Sequence, residues 1–309
     1  MSNAPFPINP ILSAVSLAYK NKRLIADDVL PRVSVAKQEF KYRKYALADG
    51  FTIPNTMVGR TSQPNQVEYG FTEVGDETRD YALDDPIPYA DELNAPAGYD
   101  PAARASEVLS DLIALDREVR TAGLVFDYDS YAAANKTTLT GSDQWSDFTN
   151  SDPVGAIVAA LNSVVMRPNI AVFGRDTWTA LCRHPSIVQA FHGNMGASGI
   201  ATTDFVARLF ELDHVLIGDS WVNISKRGQA PKLARAWGKH AAFLHVDPTA
   251  DTQYGTTFGF TAQWGDRVAG SIPDKDIGMR GGHVVRVGES VRELVIAPDL
   301  GYFFQDAVA

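Results

Sequence analysis

Residues 100–135 read DPAARASEVLSDLIALDREVRTAGLVFDYDSYAAAN, and the rest of the chain is arranged around this stretch. Asp100 can cap a helix, and Pro101 fits its first position, where the missing amide hydrogen costs nothing. Val108, Leu112, Leu115, Val119 and Ala122 recur at steps of three and four, with Leu109 and Ile113 widening the stripe. Arg104, Glu107, Asp111, Asp116, Arg117 and Arg120 occupy much of the remaining surface. The pattern predicts an amphipathic helix with that stripe buried, running through Gly123 to about Tyr131. At roughly 1.5 Å per residue it spans on the order of 45 Å, longer than a small domain is wide, so something elongated must lie along it.

On either side of the helix the pattern changes. From Ser34 to Asp85, apolar and polar residues alternate: Phe40 and Tyr42, then Val67, Tyr69 and Phe71, then Tyr81 and Leu83. Between the arms lie Pro54, Asn55, Gly59, Pro64 and Asn65, a turn-rich tip with little to bury. The implied object is a long β-hairpin. A two-stranded hairpin is marginal alone in water, so it lies either on a neighbouring copy of the chain or at a sheet edge of its own domain. Residues 1–33 carry scattered anchors, among them Ile11, Leu12 and Val15, but too few for a core of their own. They read as an arm or, alternatively, as a frayed terminus with one docked helix.

After the helix, Thr137–Pro153 is rich in Thr, Ser, Asp and Asn, which suits a boundary between subdomains. Asp152-Pro153 opens a helix, Asn169–Gly174 is a short apolar strand, and Asp176 caps a further helix that Pro185 interrupts. A helix from Thr203 or Asp204 and strands at His214–Ile217 and Ala241–Val246 complete an α/β unit over about residues 153–250. Beyond it, Phe258, Phe260, Ala262 and Trp264 alternate, and Val284 to Ile296 make two strands with a turn at Gly288. These strands are expected beside the long helix, so the chain leaves its first unit near residue 150 and returns near 250.

Composition narrows the function. With 45% hydrophobic and 21% charged residues, 309 residues suffice for two modest cores. A formal charge of −9 argues against gripping nucleic acid through its phosphates, though not against enclosing it. Cys182 is the only cysteine, which rules out an internal disulfide and a cysteine-based zinc site. No run of eighteen apolar residues and no secretory leader pattern occurs, so neither membrane insertion nor export is expected.

Three segments at familiar spacing then resemble the major capsid protein of tailed bacteriophages, with the Hong Kong 97-type fold. They are YKNKRLIADDVLPRVSVAKQEFKY (19–42), the stretch 141–185 with its GSDQWSD turn and PNIAVFGRDTWTALCRHP, and VRELVIAPDLGYFFQDAV (291–308). The resemblance implies an α+β chain divided into an N-terminal arm (1–33), an extended loop (34–85), a peripheral domain with a spine helix (86–152), an axial domain (153–250) and return strands of the peripheral domain (251–309). It implies self-assembly into hexamers and pentamers of an icosahedral virion shell that encloses double-stranded DNA without reading its sequence. Assembly would take place in the host cytoplasm, with a portal protein and a separate scaffolding protein, since no long scaffolding segment precedes the loop; a decoration protein is left open. Phe40, Tyr42, Pro54, Asn55, Pro64, Tyr69 and Phe71 become candidates for contacts between subunits, and Ile11, Leu12 and Val15 for arm anchors. Lys41 and Lys44 sit at the base of the loop, so the lysine crosslinking of one family member is not carried over.

Other chemistry is thin. Gly218-Asp219-Ser220 follows a strand as in GDSL-type esterases, but the Asp-x-x-His those enzymes end with is missing. The six histidines show no metal-ligand spacing, and no phosphate-binding glycine loop occurs. No catalytic residue, cofactor or metal is expected. The rivals to a phage head are an encapsulin shell of the same fold and, more remotely, a hydrolase using Ser220.

Overall fold

The structure is a computed structural model and describes residues 24–45, 50–68, 70–96, 99–192, 199–226 and 228–309. Its longest element is helix α3, Pro101–Val125, preceded by the short helices α1 (Ala26–Val29) and α2 (Tyr89–Leu93). The Asp100 side chain accepts from the amides of Ala102 and Ala103, the expected cap. The helix stops at Val125, short of Tyr131. Tyr131 instead turns back and donates its hydroxyl to the Val125 carbonyl at 2.7 Å.

The buried face of α3 differs from the expected one. Ala105, Leu109, Ile113, Ala122 and Val125 are buried, together with Ser106, Ser110, Arg117, Glu118 and Thr121. Val108, Leu112 and Val119 are exposed. Two physical features disguise the true face: small Ala and Ser residues let the helix lie close to a sheet, and two of its buried side chains are charged. Part of the expected apolar stripe, Val108, Leu112 and Val119, therefore points away from the protein's own core.

Two five-stranded sheets organise the rest. The first has the order β1 (Arg32–Val35), β11 (Gly259–Trp264), β13 (Gly282–Val295), β12 (Val268–Asp274), with β4 (Arg79–Pro88) also paired to β13. Leu109 and Ile113 of α3 pack here against Ile87, Ala269, Val285 and Val287. β13 is one strand of 14 residues rather than the expected two. Gly288 does not turn the chain but lies in register with Val268 on one side and Ala82 on the other.

The second sheet has the order β5 (Lys136–Thr138), β14 (Gly301–Gln305), β10 (Ala241–Leu244), β6 (Ile170–Gly174), β7 (His214–Gly218). Around it lie α4 (Pro153–Ser163), α5 (Arg175–Arg183), α6 (Pro185–His192) and α7 (Thr203–Phe210), as the alternation of patterns predicts. β5 and β14 belong to this sheet, although both fall in segments expected to build the first unit. Phe303 and Phe304 on β14 explain it, since each is buried in one of the apolar clusters flanking β10. Among the described residues there are also two separate two-stranded ribbons, β2 (Glu39–Tyr45) with β3 (Phe71–Glu77), and β8 (Trp221–Asn223) with β9 (Leu233–Arg235).

Candidate assembly surfaces

The β2–β3 ribbon pairs in register from Glu39 opposite Glu77 to Tyr45 opposite Phe71, and residues 50–68 extend beyond it. At its base Phe40 and Tyr42 are buried against Val35, Phe260, Ala262 and Leu294. These two candidates for contact between subunits are thus committed to the chain's own core. Strand alternation put them on one face, but could not say whose core that face meets. Further out the picture reverses. Pro54, Asn55 and Pro64 are exposed, as are Phe51, Met57 and Ile53, the last at 92%. Phe71 is exposed, with the Arg43 guanidinium over its ring. Tyr69 and the arm residues Ile11, Leu12 and Val15 lie outside the described residues. Lys41 pairs with Glu73 at 3.2 Å and Lys44 lies over the Tyr42 ring.

A second apolar surface is the outward stripe of α3, where Val108, Leu112 and Val119 succeed one another at steps of four and seven. A groove of about 500 Å³ opens at its N-terminal end, between the end of β4, α2 and the first turns of the helix.

Between the two sheets lies a buried polar joint. The Glu118 carboxylate accepts from the backbone amides of Ile25 and Ala26 at 3.0 and 2.8 Å, and from Trp237 Nε1 at 2.5 Å. It thereby ties the start of α1 and the second sheet's flank to α3. Trp237 is fully buried and presses on Gly218, where a Cβ would lie 2.0 Å from the indole, so only glycine fits there. Next to Glu118, buried Arg117 donates to Asp27, to the Leu30 carbonyl and to Thr261 Oγ1. Glu289, also buried, receives Arg32 at 2.9 Å and Arg267 at 3.0 Å.

Electrostatics follow from these partners. Burial pushes the Glu118 carboxyl upward, and hydrogen bonds from Trp237 and the two amides offset only part of that. For Asp27 burial works in the same direction, but Arg117 and Arg32 outweigh it and hold the carboxyl at about 2. Arg32 and Arg267 likewise keep Glu289 below its ordinary value against the effect of burial.

Among the described residues no catalytic constellation surrounds Ser220: its side chain is buried with no hydrogen-bond partner among them, and neighbouring Asp219 is engaged by Arg235 at 2.5 Å. His184, a histidine far along the chain, sits between Ser151 and Ser186. Among the described residues no group of His, Cys, Asp or Glu is placed to hold a metal, and no helix is long and apolar enough to cross a membrane.

A long helix across a β-sheet, an extended loop and a separate α/β unit define a Hong Kong 97-type shell subunit, and comparison with known proteins agrees. The family described as phage major capsid protein E matches residues 102–219. The major capsid protein of Pseudomonas phage JBD67 is 57% identical over all of both chains. A phage-related protein from Bordetella bronchiseptica RB50 superposes with a TM-score of 0.74 at 22% identity, over 97% of each chain. The capsid structure of cyanophage P-SCSP1u gives 0.62 at 11% identity, over 93% of this chain and 89% of that one. This chain belongs to the phage major capsid protein family, and its function is structural. Neither the encapsulin nor the esterase reading is favoured.

Proposed function

We propose that this chain is the building block of an icosahedral phage head around double-stranded DNA, assembled from hexamers and pentamers in the host cytoplasm. A portal and a separate scaffolding protein serve as partners, and the chain's work is geometric rather than catalytic. The observation that carries this reading is a pair of apolar surfaces on one chain that are exposed among the described residues, the loop beyond β2–β3 and the outward stripe of α3. An isolated subunit leaves both in water, whereas in a shell the loop residues Phe51, Ile53 and Met57 of one copy can cover Val108, Leu112 and Val119 of the next. Such obligate contacts are apolar, resembling a core divided between chains. Pro54, Asn55 and Pro64 shape the loop for that contact and Phe71 anchors its return strand. Ile11, Leu12 and Val15 add anchors from the arm. The net charge of −9 fits a protein that encloses DNA without gripping its phosphates.

The test is electron microscopy and size-exclusion chromatography of the protein expressed alone and with a scaffolding protein. Closed shells or capsomer rings are expected. A uniform monomer under both conditions refutes the reading.

A further inference from the structure

The two edges of the second sheet lead into segments of opposite character. β5 at one edge hands the chain to residues 139–152, and β7 at the other edge leads into the β8–β9 ribbon. β14 and β6 both run antiparallel to β10, while β5 follows β14 and β7 follows β6. All four outer strands therefore point the same way, and both segments leave from the same end of the sheet. Four strand spacings place them about 19 Å apart.

Their chemistry is complementary. Residues 141–152 contain Asp143, Asp147 and Asp152 and no Lys or Arg. Asp152 caps α4 through the Gly155 amide, whereas Asp143 is exposed and pairs with no cation among the described residues. Phe148 beside them is 40% exposed. Residues 221–235 contain Lys226, Arg227, Lys232 and Arg235 and no Asp or Glu. Lys226 and Lys232 make no ion pair among the described residues, and the ribbon leaves Trp221, Ile224 and Leu233 half exposed or more. A two-stranded ribbon is marginal by itself, and this one contributes nothing to the four buried clusters. Arg235 holds it ready, stacking on the Trp221 ring at 3.8 Å while binding Asp219.

We propose that the β8–β9 ribbon of one copy docks on the acidic segment 141–152 of the next, forming the head-to-tail contact of the capsomer ring. The proposal rests on the shell reading above and adds which surfaces meet. Two different patches at one height on opposite edges generate a heterologous contact, which a rotation about an axis along the strands closes into a ring. An aromatic side chain and arginine at the centre, with charges at the rim, is the usual composition of such a contact.

Three chains test it: wild type, Lys226→Glu with Lys232→Glu, and that pair combined with Asp143→Lys, each checked for an unchanged melting curve. Opposed like charges should cut ring formation about tenfold or more, and Asp143→Lys should restore much of it. Asp143→Cys with Lys226→Cys, oxidised after assembly, should give a ladder of covalent multimers, since Cys182 is buried and does not compete. If wild type forms rings but the reversed chain does so equally and no ladder appears, this interface is wrong and the shell reading stands. Covalent dimers without higher rungs would mean a two-fold contact and likewise overturn it. If wild type forms no rings at all, the shell reading falls and takes this contact with it.

Discussion

The two sheets are held together by opposite means. The second is dry: Trp145, Phe173, Phe243 and Phe304 interlock at ring distances of 5.4 to 6.4 Å, backed by Leu181, Ile187 and Phe210. The first meets α3 partly through charge, with Arg117, Glu118 and Glu289 buried among Asp27, Arg32 and Arg267. An apolar core stabilises in proportion to the area it removes from water and tolerates changes of pH. A buried charge cluster contributes less net stability, because desolvation offsets attraction, but it rejects any arrangement that leaves one member unpaired. The dry sheet thus makes a sturdy block, and the charged joint fixes how that block, the helix and the start of α1 sit together.

The strongest way to break this comparison is to open each side in turn. Phe243→Ala, at the centre of the dry cluster, should cost about 3–5 kcal/mol through lost transfer energy and the cavity left behind. The loss should be the same at pH 5 and pH 8 in denaturant unfolding, since Phe243 sits in an apolar cluster that contains no carboxylate and no histidine. Glu118→Leu should cost less, about 2–4 kcal/mol, by stranding the Trp237 indole and the two amides. Glu118→Gln, which keeps an acceptor, should recover more than half. Hydrogen exchange at Ile25 and Ala26 should rise in the leucine variant alone. Equal exchange in both variants would falsify the role given to Glu118.

That contrast also explains what was legible in the sequence. Elements of the dry sheet announce themselves: Ile170–Gly174 is an unbroken apolar run, and Asp152-Pro153 and Asp100-Pro101 mark helix starts by cap and proline. Where burial involves charge or small residues, pattern reading fails. Arg117 and Glu118 look like surface residues in a helical stripe, so only Leu109, Ile113 and Ala122 of the expected stripe fall on the buried face, and the joint is almost invisible. Its only trace is that two charged residues fall on the same side as Leu109 and Ile113 once the helix is phased by Ala105 and Ser106. Phe40 and Tyr42 show the same limit from the other direction. Their alternation fixes a face, while the identity of the covering chain depends on Phe260 and Leu294, more than 200 residues away. The loop tip at Pro54, Asn55 and Pro64 was readable because turn chemistry is local.

A smaller effect sharpens the electrostatic side. Asp27 is held at about 2 in the folded protein, against an ordinary value of 3.8. Between those values the unfolded chain binds more protons than the folded one, so stability rises with pH there. The Asp27 contribution is complete above pH 4 and is lost as pH falls toward 2. Glu289, also held down by its arginines, acts in the same direction. Glu118 has the opposite sign, because its raised carboxyl favours the folded state as acid protonates it. Asp27→Asn should therefore flatten the acid limb of a stability-against-pH curve without abolishing it, with little change in shape above pH 5. A curve that superposes on wild type after correction for a constant offset would count against the pairing with Arg117 and Arg32.

The smallest expected effect on folding carries the largest consequence for assembly. Leu112 is 46% exposed at the middle of the outward stripe of α3, so Leu112→Arg removes little buried area from the isolated chain. Its stability should move by no more than about 0.5 kcal/mol, the ordinary range for surface substitutions. In the proposed shell the same position lies under a neighbour's loop, where an unpaired guanidinium would be desolvated at a cost of several kcal/mol. Soluble, folded subunits that fail to build shells are the expected result, and Ile53→Asp at the loop tip should reproduce it from the other side of the contact. A Leu112→Arg chain that assembles as well as wild type would leave the stripe without its partner and return the loop to solvent. The value of the pair lies in separating fold from assembly: Val108, Leu112 and Val119 look as much like core as Leu109 and Ile113, yet the subunit itself does not bury them.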